Sequence, residues 1–290
     1  MNIRTDFALE TLNKNTKSGF LVDFKEKNEI KITNIEVNNE INDLNKEVGN
    51  YISLEFDNIN DKDKRTNISD LLSLEIKSLL KKYRIKKDDK VLIVGLGNRF
   101  IVADALGPET INQIYVTNHL YELNLNKSKI GRVSVLSPGV MAQTGMETFD
   151  IIQAVQNKLK AKMIIVIDAL ATLKLERINK MIQLTDVGIN PGSGVGNFRK
   201  PINKKTLKVP VLALGVATVV DLGSLFYNLV SDKSRIYDIL GKNESFIVTP
   251  KEIDEDIMHL SEILSNALNK SINPNFSKMW LFFYKFLHLL

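Results

Sequence analysis

The chain has 290 residues, 44% hydrophobic and 25% charged, a globular composition long enough to enclose a sizeable core. It contains no cysteine, which excludes a disulfide framework, a thiolate nucleophile and a cysteine-ligated metal. The net charge of +5 comes from 39 Lys and Arg against 34 Asp and Glu spread along the chain, which reads as a solvated surface and not a nucleic-acid face.

The opening residues MNIRTDFALE hold no apolar run of the secretory type, and no stretch reaches the roughly 18 apolar residues of a membrane span. The expectation is a soluble intracellular protein with no membrane or direct nucleic-acid partner. Residues 1–17 are polar. From Gly19 the pattern alternates, so residues 20–24, 30–37 and 51–56 predict three antiparallel strands within a β-rich extension over 18–60. Apolar residues from Ile68 to Tyr83 recur at three- and four-residue steps and predict a helix over 67–83.

Residues 90–108, KVLIVGLGNRFIVADALGP, carry the organising pattern. An apolar β-branched run predicts a strand buried on both faces. Gly95 and Gly97 then let the backbone turn sharply, and a loop follows that contains Asn98 and a lone carboxylate, Asp104. Pro108 reads as the first turn of a helix over 108–123. A strand is expected at 132–136. Thr144 and Glu147 have the spacing of a capping box for a helix reaching about 159. A second buried run, KMIIVI at 162–167, ends directly on Asp168. Strands are also expected at 177–184 and 209–214, with helices starting near Asp221 and behind Thr249-Pro-Lys-Glu252, a second capping-box pattern. Strands alternating with helices from residue 68 onward predict one three-layer α/β sandwich around a mostly parallel sheet. The apolar window 279–290 is too short to cross a membrane and fits a terminal helix docked on the body or on another subunit.

Two strands each deliver one aspartate at the end where open α/β sheets do their chemistry. Singly, each aspartate has an ordinary structural explanation as a helix cap or a lysine partner. Together, Asp104 and Asp168 predict a site. VGLGN fails the dinucleotide fingerprint, because position 100 is Phe100 and no helix opens directly after Gly97. The loop holding Gly192, Ser193, Gly194 and Gly196 lacks the Gly-Lys-Ser/Thr ending of a P-loop. It remains open to three readings: an anion cradle, a structural turn, or an ordered wall beside the carboxylates. Pro191 breaks the G-x-S-x-G elbow around Ser193, and the three histidines, His119, His259 and His288, form no H-x-x-x-H pattern. No cofactor is expected, although two neighbouring aspartates are also able to hold a divalent ion.

At this point several segments, in order, carry a family resemblance. VGLGN, DALGP, SPGVM-x-x-TG-x-E-T, IDALA, ER-x-N, TD-x-GI-x-PGSGVGN-x-R, GV-x-TVVD and VTPKEID together resemble the spore germination protease family. The family pattern differs here at Arg99, Val102, Ala103 and Asn190. The resemblance implies an unusual aspartic endopeptidase that degrades small acid-soluble spore proteins in the spore core, with a fold similar to hydrogenase maturation proteases and a homotetrameric assembly. It implies that Asp104 and Asp168 are the essential aspartates. It also implies a self-processing zymogen. The family's cleavage pattern, an acidic residue before an apolar residue and alanine, falls on Thr5-Asp6-Phe7-Ala8, so the self-cleaved bond is Asp6–Phe7. Residues 1–6 are then the propeptide, 7–290 the peptidase domain and 275–290 an apolar tail. A metal-dependent peptidase using the same aspartates, and a non-catalytic peptide- or nucleic-acid-binding relative, are the alternatives.

Overall fold

A computed structural model describes residues 5–13, 16, 18–125, 130–192, 199–230 and 246–273. The 231–243 stretch, the 275–290 tail, and Ser193, Gly194 and Gly196 lie outside the described residues.

The chain enters through a 3₁₀ turn (Ala8–Thr11) and forms β1 (Phe20–Lys27), β2 (Ile30–Val37) and β3 (Gly49–Glu55). Asn28 and Glu29, both at positive φ, make the β1–β2 hairpin turn. Next come α1 (Lys62–Lys82) and β4 (Lys90–Gly95), then a 3₁₀ turn (Val102–Asp104). Further along are α2 (Leu106–Ile111), α3 (Asn118–Glu122), β5 (Arg132–Leu136), α4 (Met141–Thr144) and α5 (Thr148–Leu159). The second half contains β6 (Met163–Thr172), β7 (Met181–Thr185), α6 (Lys204–Leu207), β8 (Val211–Asp221), α7 (Leu222–Leu229), β9 (Ile247–Val248) and α8 (Ile253–Ile272).

All strands join one mixed sheet in the order β1-β2-β3-β7-β8-β6-β4-β5, with β9 on the far end of β8. The parallel character expected from the sequence holds for β5-β4-β6-β8. The three N-terminal strands continue the same sheet antiparallel, through β3–β7 and β7–β8. Helices cover both faces, which makes the three layers. On one face, α1 and α8 bury Ile68, Leu72, Ile76, Leu260, Ile263 and Leu264 against Ile93, Ile165, Ile167, Leu212 and Leu214. On the other, Phe149 and Ile152 of α5 pack on Leu92, Val94, Ile164 and Val166. Each such fully buried side chain contributes about 1.5–3 kcal/mol relative to exposure.

Several local expectations are corrected. The helix predicted over 108–123 is two short helices. After Ile111 the Asn269 side chain of α8 accepts from the Tyr115 amide and donates to the Gln113 carbonyl, and Thr117 pairs with Val133, so the chain leaves the helical path. Thr144 does not cap the following helix. It closes α4, its hydroxyl accepts from Met146 N, and α5 starts after Glu147. Thr249 is likewise no cap: its hydroxyl donates to the Thr218 carbonyl, and α8 begins four residues later. The strand expected at 177–184 is shorter, starting at Met181 behind a 3₁₀ turn (Leu175–Arg177).

Candidate active site

β4 lies between β5 and β6 although it precedes both in the chain, so the connection from β4 runs to one side and the connection from β5 returns across it to the other. In open α/β sheets the carboxyl end of the strands at such a switch point is where ligands bind. Asp104 comes from the loop after β4 and Asp168 from β6 itself. Asp168 does not end its strand, as the sequence suggested. β6 runs on to Thr172, because β8 continues beside it and pairs with it up to Val220, across an irregularity at Leu170/Ala171.

Glycine geometry folds the Asp104 loop back onto the end of β4. A Cβ at Gly95 would lie 2.3 Å from the Gly107 carbonyl oxygen, and one at Gly107 would lie 2.2 Å from that of Leu96. Only glycines allow α2 to sit against the end of β4 at this distance. Gly97 adopts φ +110°, and a Cβ there would stand 2.0 Å from the Asp104 carbonyl oxygen. The Asn98 amide donates to Asp104 Oδ2 at 2.8 Å, Leu96 N donates to Ile167 O at 2.8 Å, and the buried Thr218 hydroxyl of β8 donates to Ala103 O at 3.0 Å. Asn98 Oδ1 also accepts from Phe100 N at 3.0 Å and from the Gln143 side chain, which ties the loop to α4. We expect Gly97→Ala to cost about 2 kcal/mol from backbone strain alone, and to reduce activity further by moving Asp104. Urea unfolding and a peptidase assay on one sample check this; an unperturbed variant contradicts the close approach.

The charge of Asp104 acts on Asp168. Asp168 is 7% exposed. Burial pushes its carboxyl well above the usual carboxylate range, and the charges of Asp104 and Asp6 push the same way, against one hydrogen bond from Ala169 N. Burial raises Asp104 to about 6, opposed by the Asn98 amide.

Asp6 comes from the N-terminal strap. Its amide donates to Ala171 O at 3.3 Å, and its carboxylate accepts from Ala171 N at 3.0 Å. Phe7 is fully buried against Leu170, Met181 and Ala217. Ala8 is also fully buried. Glu10 locks the strap down: its side chain is 1% exposed and accepts from Thr172 Oγ1 at 2.5 Å, Leu173 N at 2.9 Å and Arg177 Nη1 at 3.2 Å. Removing one member of a buried ion pair costs about 3–5 kcal/mol. Glu10→Ala should therefore free residues 5–11, read as faster hydrogen exchange at the Phe7 and Ala8 amides. Retained protection there contradicts the lock.

A cavity of about 280 Å³ adjoins the strap, lined by Asp6, Lys46, Tyr51, Gln183, Thr185 and Gly215 among others. Burial lowers the Lys46 amine, while Asp6 and Glu10 act to hold it up. The base of the Gly-rich loop reaches the same cavity through Gly188, Ile189 and Asn190, pinned by a two-way bridge between Ile189 and Ile202 at 3.0 and 2.9 Å. Gly192 takes φ +74°. His119 is exposed on α3, and His259 lies on α8. Among the described residues no three His, Cys, Asp or Glu converge as an ion-holding set, and no helix is long and apolar enough to cross a membrane.

The sequence reading missed Gln183 and Lys46, and gave Glu10, which follows the Thr5-Asp6-Phe7-Ala8 pattern, no role. Gln183 did leave a signal, a lone amide in the largely apolar run MIQLT. Lys46 sits in a polar stretch that shows no pattern.

A family model described as germination protease matches residues 2–233. A germination protease from Clostridium tetani is 38% identical, over 94% of this chain and 96% of that protein. One from Bacillus pumilus is 33% identical over 95% of each. Among solved structures, a [NiFe] hydrogenase maturation protease, HycI, from Thermococcus kodakarensis aligns over 67% of this chain and 98% of that one, with 18% identity and a TM-score of 0.36.

Proposed function

From the premise that the chain belongs to the germination protease family and is a protease, we propose that it is an endopeptidase that starts the degradation of small acid-soluble spore proteins. Asp104 and Asp168 activate water between them, and no covalent intermediate forms. The observation that carries this is the pair itself: one carboxylate from the loop after β4 and one from the adjoining strand β6, both with raised affinity for protons, and the charge of Asp104 acting on Asp168.

Two carboxyl groups in one site do not both ionise readily, so their environments divide the work. Asp168, the more buried, holds its proton and donates it to the scissile carbonyl. Asp104, ionised above about pH 6, takes a proton from the attacking water. Activity then rises as pH passes 6 and falls where Asp168 ionises.

The protein is made as a zymogen in this reading, with residues 1–6 as its propeptide and Asp6–Phe7 as the self-cleaved bond. The ordered strap beside Asp168 supports it. The Gly-rich loop acts as a wall of the same cleft, and the assembly is a homotetramer working in the spore core. The decisive assay incubates the processed protein with a small acid-soluble spore protein, with and without a chelator. Cleavage unaffected by chelation supports the aspartate pair acting alone. Cleavage lost on chelation selects a metal-dependent peptidase on the same residues, and none in either condition selects a binding protein.

A further inference from the structure

The sheet register places Gln183, Gly215 and Asp168 in one row across β7, β8 and β6, on the face that carries the strap. Two strand spacings separate Gln183 from Asp168, about 10 Å, and the residue between them is a glycine. Gln183 is 5% exposed in an otherwise apolar strand. A carboxamide buried there is costly unless both its ends are bonded.

Both ends are bonded to the strap. Ala8 N donates to Gln183 Oε1 at 2.8 Å, and Gln183 Nε2 donates to Asp6 O at 3.2 Å. One side chain thus grips the chain on either side of Phe7. For any other peptide to reach the aspartates, residues 5–8 have to leave. The carboxamide then loses both partners, and the space among Leu170, Met181 and Ala217 empties. A second peptide running along the same path restores all of these contacts.

We propose that Gln183 is a substrate clamp. It holds the backbone of an extended peptide on both sides of the first residue after the cut, accepting from the next N–H and donating to the scissile carbonyl. The pocket of Leu170, Met181 and Ala217 takes the large apolar side chain between these two contacts, and the full burial of Ala8 admits only a small residue behind it. This rests on the peptidase reading above, with Asp6–Phe7 as the pattern for the cleaved bond. It adds a donor aimed at the carbonyl whose oxygen gains charge during attack.

The test uses the full-length protein after self-processing and two synthetic peptides of the sequence of residues 3–12. In one, the amide joining the phenylalanine to the alanine is an ester, which removes that N–H without adding bulk. Products are read by mass at the aspartyl–phenylalanyl bond. The parent should lose about fivefold in kcat/KM from amide to ester, the worth of one hydrogen bond. Gln183→Ala should be slower on the amide peptide by tenfold or more and indifferent to the ester. Gln183→Met keeps the length of the side chain but loses both donor and acceptor, so it should match Gln183→Ala in its slower cleavage and its indifference to the ester; it also carries the test if Gln183→Ala does not fold. An ester penalty equal to the parent's in either variant, or an undiminished rate on the amide peptide, overturns the clamp. A parent that cleaves neither peptide sinks the peptidase reading, and the clamp with it.

Discussion

Asp104→Asn and Asp168→Asn should each abolish proteolysis, by at least a thousandfold, while making the protein more stable at neutral pH. The activity half follows from chemistry: each substitution preserves volume but removes a group that gives or takes a proton. The stability half follows from linkage. A carboxyl group whose folded pKa lies above its unfolded value binds protons more tightly in the native state. Its contribution is fully present below the unfolded pKa and is lost as pH rises through the folded one. For Asp104 that window runs from about 4 to about 6. By pH 7 the folded protein carries a penalty of about 3 kcal/mol, at 1.36 kcal/mol for each pKa unit. Asn carries no such penalty. Asp104→Asn should therefore melt above the parent at pH 7, with the gap closing toward pH 4. Asp168 is more deeply buried, so its window extends to higher pH. Thermal unfolding of parent and variants from pH 4 to 8, beside the peptidase assay, checks both halves. Near-parental cleavage by either variant removes the pair from the mechanism. A pH-independent stability gap removes the burial argument.

The two aspartates were legible in the sequence because each follows an apolar β-branched run, and such runs mark the buried parallel strands of an α/β sheet. What the sequence did not convey was length. Nothing local in IDALAT separates a strand that stops at Asp168 from one that continues to Thr172, since the continuation depends on the long β8 beside it. The two capping-box patterns failed for the same kind of reason. Thr144 and Thr249 have the right spacing to Glu147 and Glu252, but each hydroxyl is engaged within its own turn or by a neighbouring strand. The helix expected after Pro108 broke because Asn269, more than 150 residues away, captures the backbone at Gln113 and Tyr115. Local periodicity found the elements whose faces are buried, and missed boundaries set by contacts distant in the chain. The strap shows both sides. The segment Thr5-Asp6-Phe7-Ala8 drew notice only through the family resemblance, and its position beside Asp168 is set by Gln183, Ala171 and Arg177, which give no local sign of it.

The protein should cut itself between Asp6 and Phe7 and lose the mass of Met1 to Asp6. The competing explanation is that Phe7 merely anchors the terminus, and its complete burial fits an anchor. An anchor alone, however, does not require Asp6 to lie where its charge acts on Asp168, nor a buried carboxamide on the Asp6 carbonyl. Both features are what self-cleavage at Asp6–Phe7 would require. Asp6 and Asp104 each act on the charge of Asp168, so proton uptake favours the docked strap, whereas catalysis needs Asp104 ionised; self-cleavage should therefore be fastest near pH 6, where both conditions are partly met. The experiment holds purified protein near pH 6 and follows its intact mass. Loss of residues 1–6 in the parent but not in Asp104→Asn supports self-cleavage. Cleavage at another bond, or the same loss in Asp104→Asn with no active protein present, leaves Phe7 as an anchor and nothing more. Adding trace parent to Asp104→Asn then separates the route. A bond cut only within its own chain stays intact in the variant, while one cut between copies is lost at a rate proportional to the parent added.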